Sequence, residues 1–407
     1  MSTSGFAGTV ERHALGWLVA ANLVGVWLAA VLLWPALAGI TGPWGYGRWM
    51  PLHLNWQLYG WCSLPIVGAL VAWFVRDDRV GRLHVRVALG AWSLALGLGG
   101  VSWLTGVTSG KLFLDWHGWA RPLLPLAMMV LWSVLALQFW GRRHEFSSGG
   151  KGLRGAALAL LFVVPNLLFW AAGREVYPAV NPHSGGATGA SLLGSTLGVI
   201  VIFGLLPVML RVRSRDGGAA GRWFWAALAL SFAVYARVNH GDASHRAPGQ
   251  IGALGVLLAW VPLLAVYLGR FEWHPAARPW LRAGMAWWAL LVGTGFLTFL
   301  PGLSERLKFT NALVSHAHLA MAGLVTSLNL LMLRQLRGGG TRRGFWLWQL
   351  GCAVQVAVLM YAGWTEVSSE ADWFLRADWT QAIYGVRLAA GLAMLVASIT
   401  WLKETWA

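Results

Sequence analysis

Acidic side chains and cysteines are what this sequence has least of. Only 15 of its 407 residues are Asp or Glu, charged residues of both signs make up 11%, and there are two cysteines. A soluble domain averages about 25% charged residues, so a water-facing globule is excluded. Cys62 and Cys352 both fall inside apolar runs, which reads as two reduced packing thiols and excludes a disulfide framework. Long polar stretches are missing too, leaving no loop able to hold a soluble domain, and no repeat with a clear period is evident.

What is there is apolar: 57% hydrophobic residues and a mean hydropathy of +0.58. Stretches of roughly 17 to 25 apolar residues, enough to cross a bilayer, recur along the whole chain. They fall near 15–38, 52–75, 85–105, 122–140, 154–172, 188–210, 222–238, 249–269, 281–300, 309–333, 344–364 and 381–402. The expectation is an all-α integral membrane protein, a bundle of about 12 transmembrane helices forming one domain over residues 1–407. Glu11, Arg12 and His13 precede the first stretch with no small-residue cleavage site, so that stretch reads as a retained helix. The 29 tryptophans read mainly as interfacial belts.

A net charge of +16 raises the question of nucleic acid, but the basic residues are spread over short loops. About 19 fall in loops after even-numbered helices and about 9 after odd-numbered ones, so the positive-inside rule places both termini in the cytoplasm. Lipid, and no nucleic acid, is the implied partner. With that orientation, five of the eleven histidines gather in the outer half of the membrane. His53 lies early in the second helix, in WMPLHLNWQ. His316 and His318 lie about 10 to 14 Å below the outer end of the tenth, in SHAHLAMAG, and point to nearly opposite sides of it. His183 precedes the sixth helix and His240 ends the seventh, with His245 just beyond.

Histidines within a membrane are costly and serve as proton relays, metal ligands or haem ligands. An iron porphyrin is flat and apolar and sits between helices on axial imidazoles, so His53 and His318 read as a six-coordinate, electron-transferring pair. His316, facing away, reads as the ligand of a second haem with an open face. No Cys-x-x-Cys-His occurs, so any haem c belongs to a partner.

A twelve-helix chain with a histidine early in the second helix and His-x-His in the tenth resembles subunit I of the haem-copper oxidase superfamily. It is most similar to the C-type (cbb-type) cytochrome c oxidases and the large subunit of nitric oxide reductases. The resemblance runs through most of the chain. It implies two haems b, with His53 and His318 as low-spin ligands, His316 as the high-spin ligand at the catalytic position, and Arg48 against haem propionates at the outer surface. It also implies a bacterial cytoplasmic (inner) membrane, companion membrane subunits and a cytochrome c-type donor on the outer face.

The departures are specific. The family holds a non-haem metal, copper or iron, with one histidine from the sixth helix and an adjacent pair from the seventh. Here the pair is reduced to His240 followed by Gly241, and His183 stands one turn before the expected position. His183, His240 and His245 are the residues left to hold such a metal, and stoichiometric copper is not expected. Tyr235 resembles a tyrosine found near that site in C-type enzymes. No Asp or Glu lies deep in any expected span, and Arg387 is the one clear intramembrane charge. Among the functions left open, electron relay within a larger respiratory complex stands ahead of dioxygen or nitric oxide reduction, a haem-based gas sensor or scavenger, and a cofactor-free transporter. The acidic stretch 366–378 is a solvated outer loop or a dock for a basic cytochrome.

Overall fold

The computed structural model describes residues 5–215, 219–368 and 377–406. Its long helices are α1 (Gly5–Leu33), α2 (Tyr46–Phe74), α3 (Arg79–Leu104), α4 (Leu123–Arg142), α5 (Ser148–Ala171), α6 (Gly189–Met209), α7 (Ala219–Arg237), α8 (Pro248–Gly269), α9 (Arg278–Phe299), α10 (Asn311–Arg337), α11 (Arg342–Val367) and α12 (Asp378–Glu404). Among the described residues ten have the length and apolarity of a membrane span; α7 and α9, of 19 and 22 residues, are the helices outside that set. The chain is therefore a multi-pass helical membrane protein. In hydrocarbon a helix is the element that satisfies its own backbone polar groups, and twenty apolar residues with no polar interruption leave it no alternative.

Helix starts follow local chemistry. Asp78, Thr188 and Thr310 each turn a side-chain oxygen onto a backbone N–H of the first turn of α3, α6 and α10, at 2.7, 3.1 and 3.2 Å. Thr310 thereby sets the register of the helix that carries His316 and His318.

The chain divides into two compact units. The first comprises Met1–Tyr177, Met332–Trp348 and Gly391–Ala407; the second comprises Pro178–Leu331 and Gln349–Ala390. In the first unit α1 starts ten residues before the expected span, so Glu11 is inside a helix and 1% exposed. It is held there by Arg334, whose Nη1 lies 3.0 Å from Glu11 Oε1, and by Arg337 at 2.5 Å; Arg334 also reaches Glu404 at 3.3 Å. A buried carboxylate is tolerated where two guanidiniums meet it. Tryptophans are also core residues: Trp61, Trp103 and Trp116 in the first unit and Trp260 and Trp288 in the second are fully buried. Trp103 and Trp288 donate their indole N–H to the carbonyls of Asp115 and Trp260 at 2.8 and 2.9 Å, which is how a polar handle is accommodated in a core. Cys62 and Cys352 are buried free thiols.

Candidate functional site

Each unit contains one helix hairpin with the same internal construction. In the first unit it is α1–α2, and in the second it is α9–α10. Three residues after His53 the α-helix widens to a π-helical segment, Trp56–Cys62; three residues after His316 it does the same at Leu319–Val325. Such wide turns are rare and concentrate at functional sites. The fifth residue of each is a glycine pressed against a tryptophan of the preceding helix. A Cβ added at Gly60 would lie 2.7 Å from Trp17, and one added at Gly323 would lie 2.7 Å from Trp287.

The residue that follows each segment carries a hydroxyl that bonds five residues back. Ser63 donates to the Leu58 carbonyl at 2.9 Å and Thr326 to the Met321 carbonyl at 3.0 Å. Eight residues beyond each tryptophan, a second glycine lies under the histidine: Gly25 under His53 and Gly295 under His316, where an added Cβ would sit 2.6 and 3.2 Å from the imidazole Cε1. The shared pattern is Trp-x7-Gly on the first helix and His-x6-Gly-x2-Ser/Thr on the second. The sequence carried this signal, but because it is a pairing of two distant hairpins, a search for a fixed period does not find it.

The imidazoles are oriented in each hairpin. His53 Nδ1 lies 2.9 Å from the Ala21 carbonyl of α1 and His318 Nδ1 lies 2.8 Å from the Val314 carbonyl of its own helix. A carbonyl only accepts, so in both rings Nδ1 carries the proton and Nε2 carries the lone pair, the tautomer of an Nε2 metal ligand. His316 Nδ1 is 3.3 Å from the Thr294 hydroxyl of α9. The position of His318 is taken in α2 by the buried Asn55, which likewise bonds the carbonyl four residues back, at 2.8 Å to Pro51.

His316 forms part of the wall of a cavity of about 320 Å³ inside the second unit. Leu192, Leu254, Leu257, Trp288 and Phe296 supply an apolar lining, and Lys308, with Ser184 and Gly186, supplies a polar end. Cavities of a few hundred Å³, mostly apolar with a few polar groups, are the usual form of cofactor sites. In the first unit the half-buried Arg48 lies against Gly106, where any side chain would collide with its guanidinium.

The remaining histidines sit elsewhere in the second unit. His183 and His245 approach edge to face, with ring centroids 6.3 Å apart, while His240 is exposed and packs on Tyr235 at 4.6 Å. Asn181 accepts the His183 backbone N–H on Oδ1 at 3.1 Å, which turns its Nδ2 toward His245 Nδ1 at 2.7 Å. The buried His245 therefore carries its proton on Nε2, 2.9 Å from Glu305 Oε1 though off the N–H axis. With Nδ1 turned to Asn181 and Nε2 to Glu305, the ring presents no lone pair to a metal. Among the described residues no three His, Cys, Asp or Glu side chains converge as a metal ligand set.

Sequence reasoning passed over Glu305. It accepts from Arg246 at 2.8 Å and from the Gly302 N–H at 2.7 Å, tying the α9–α10 connection to the α7–α8 connection. The Arg246 hydrogen bonds, then its own backbone N–H and that of Gly302, hold its carboxyl at about 2. Glu366, at the start of the acidic stretch, accepts from the Asn311 backbone N–H at 2.6 Å and so anchors the first turn of α10. Residues 369–376 of that stretch lie outside the described residues. No family model matches the chain, and no curated protein matches it.

Proposed function

We propose that this chain is a membrane haem protein that relays electrons, built on the plan of subunit I of the haem-copper oxidases, with His53 and His318 as the axial pair of one haem and His316 as the ligand of another. The observation that carries the reading is the matched construction of the two hairpins, each presenting an oriented histidine one turn ahead of a π-helical segment. A haem supplies a one-electron couple on an iron whose axial imidazoles the protein orients. The residues present fit such a group: an apolar cavity with an imidazole in its wall and a cation at one end, and two rings in the Nε2-ligating tautomer. The orientation with both termini in the cytoplasm, the inner membrane and a cytochrome c-type donor outside belong to the same proposal. Relay is favoured over dioxygen or nitric oxide reduction by the geometry of the His183, His240 and His245 group, which is spent on hydrogen bonds and ring packing.

Absorption spectra of the purified full chain, with haem, iron and copper quantified, test this. The expected result is two haems. His53→Ala and His318→Ala each remove the low-spin spectrum, and His316→Ala removes the carbon monoxide response of the reduced protein while leaving the low-spin spectrum intact. A colourless protein ends the reading in favour of a transporter. Rapid cytochrome-dependent consumption of dioxygen or nitric oxide, lost on changing His240 or His183, ends it in favour of an oxidase or reductase with a rearranged metal site.

A further inference from the structure

The cavity on His316 is lined mostly by apolar side chains, with a few hydroxyls and one cation among them. Lys308, eight residues before His316, lines it, and its side chain crosses Gly186 so closely that an added Cβ there would lie 2.5 Å from Lys308 Cε. The acid nearest in sequence, Glu305, already serves Arg246, His245 and the Gly302 N–H, and among the described residues Lys308 has no carboxylate of its own. Burial draws the Lys308 pKa down, so its charge is held at a cost in solvation. A cation kept half-buried in the lining of a mostly apolar chamber, with no counter-ion among the described residues, calls for an anion delivered by whatever fills the chamber. The first hairpin also has a basic residue lying across a glycine: Arg48, five residues before His53, against Gly106.

Resting on the haem reading above, we infer that Lys308 is the binding residue for a carboxylate carried by the flat apolar ligand seated on His316, that is, a propionate of the second haem. The same chemistry, an anionic group on an apolar body, is offered by a membrane fatty acid, and the test separates the two.

The full-length protein, stripped of haem, is reconstituted with haem b or with its dimethyl ester, which lacks the negative charges, and occupancy at His316 is followed by the carbon monoxide signal that His316→Ala abolishes. Wild-type protein is expected to hold haem b on the order of tenfold more tightly than the ester at this site, the usual scale of one charge-assisted hydrogen bond. Lys308→Met removes most of that preference by weakening haem b and sparing the ester, whereas Lys308→Arg keeps it. An unchanged preference in Lys308→Met overturns the assignment. So does a result in which Lys308→Met leaves haem b untouched but weakens quenching of tryptophan fluorescence by a brominated fatty acid, since the carboxylate is then a lipid's. If wild-type protein shows no carbon monoxide signal with haem b, the haem reading itself fails and this assignment falls with it; a normal signal with no Lys308 effect defeats the assignment alone.

Discussion

In the first hairpin the histidine is wedged: His53 bonds a backbone carbonyl of the neighbouring helix, lies tightly over Gly25, and is followed by a π-helical segment whose side chains are tied down on all sides. Trp56 donates to the Leu96 carbonyl at 3.0 Å, Tyr59 to the Phe113 carbonyl at 2.6 Å, and Trp92 to the Tyr59 carbonyl at 2.8 Å. In the second hairpin the same scaffold is looser at its histidine. His316 meets a hydroxyl at 3.3 Å, its glycine leaves 3.2 Å rather than 2.6 Å, and the ring borders a cavity. One framework thus yields a clamped imidazole and an accessible one by changing what surrounds the ring and keeping the π segment, its glycine and its closing hydroxyl. A clamped imidazole suits an electron carrier, whose coordination stays constant; an accessible one suits an iron that exchanges its sixth ligand.

The contrast is broken most decisively at Gly25. Gly25→Leu forces His53 off its position, and we expect loss of the low-spin spectrum with the carbon monoxide response at His316 retained. The larger space at Gly295 makes Gly295→Ala the milder counterpart, with both spectra surviving. If Gly25→Leu leaves the low-spin spectrum unchanged, the clamp has no bearing on the ligand.

Gly60→Ala and Gly323→Ala test the shared part. Each places a methyl against a tryptophan ring system, and overpacking of this kind costs about 1–3 kcal/mol. Similar losses of thermal stability in detergent are expected at both sites, because the tryptophan contact is equally short in the two hairpins. A loss at one site only would show that the two π segments are held by different means.

The smallest effect is acid sensitivity, confined to the second unit. The Glu305 carboxyl is depressed from 4.5 to about 2. A group with a depressed folded value stabilises the fold fully above its unfolded value and loses that contribution as pH falls toward the folded one. The connection leading into α10 should therefore loosen between about pH 4.5 and 2, seen as faster hydrogen exchange around residues 300–310, and Glu305→Gln should abolish the pH dependence. The effect is modest because the carboxylate is substantially solvated.

Much of the helical plan was legible because an apolar run of span length has few alternatives in a membrane: every expected stretch coincides with a helix, and the start of α6 was expected at its capping Thr188. The start of α1 was missed because Glu11, read alone, is a terminator; its burial depends on Arg334 and Arg337, more than three hundred residues away. The π segments were also invisible, since a wide turn is chosen by the fit of Gly60 on Trp17 and of Gly323 on Trp287 rather than by propensity. His53, His316 and His318 stood out because a histidine in hydrocarbon is anomalous on its face. His245 was grouped with the metal candidates on residue type, whereas the Asn181 side chain, whose orientation only the fold reveals, decides its tautomer. Lys308 was overlooked because a lysine at a helix end is ordinary until a cavity is found beside it.

The Glu11 cluster has a consequence for biogenesis. Its carboxylate is in α1, and its two guanidiniums are 323 and 326 residues downstream in α10. Until α10 is made, α1 lacks both guanidiniums that meet its buried carboxylate. The first unit, which draws on Met1–Tyr177, Met332–Trp348 and Gly391–Ala407, cannot close before α12 is made. The place of α1 is settled by segments translated long after it.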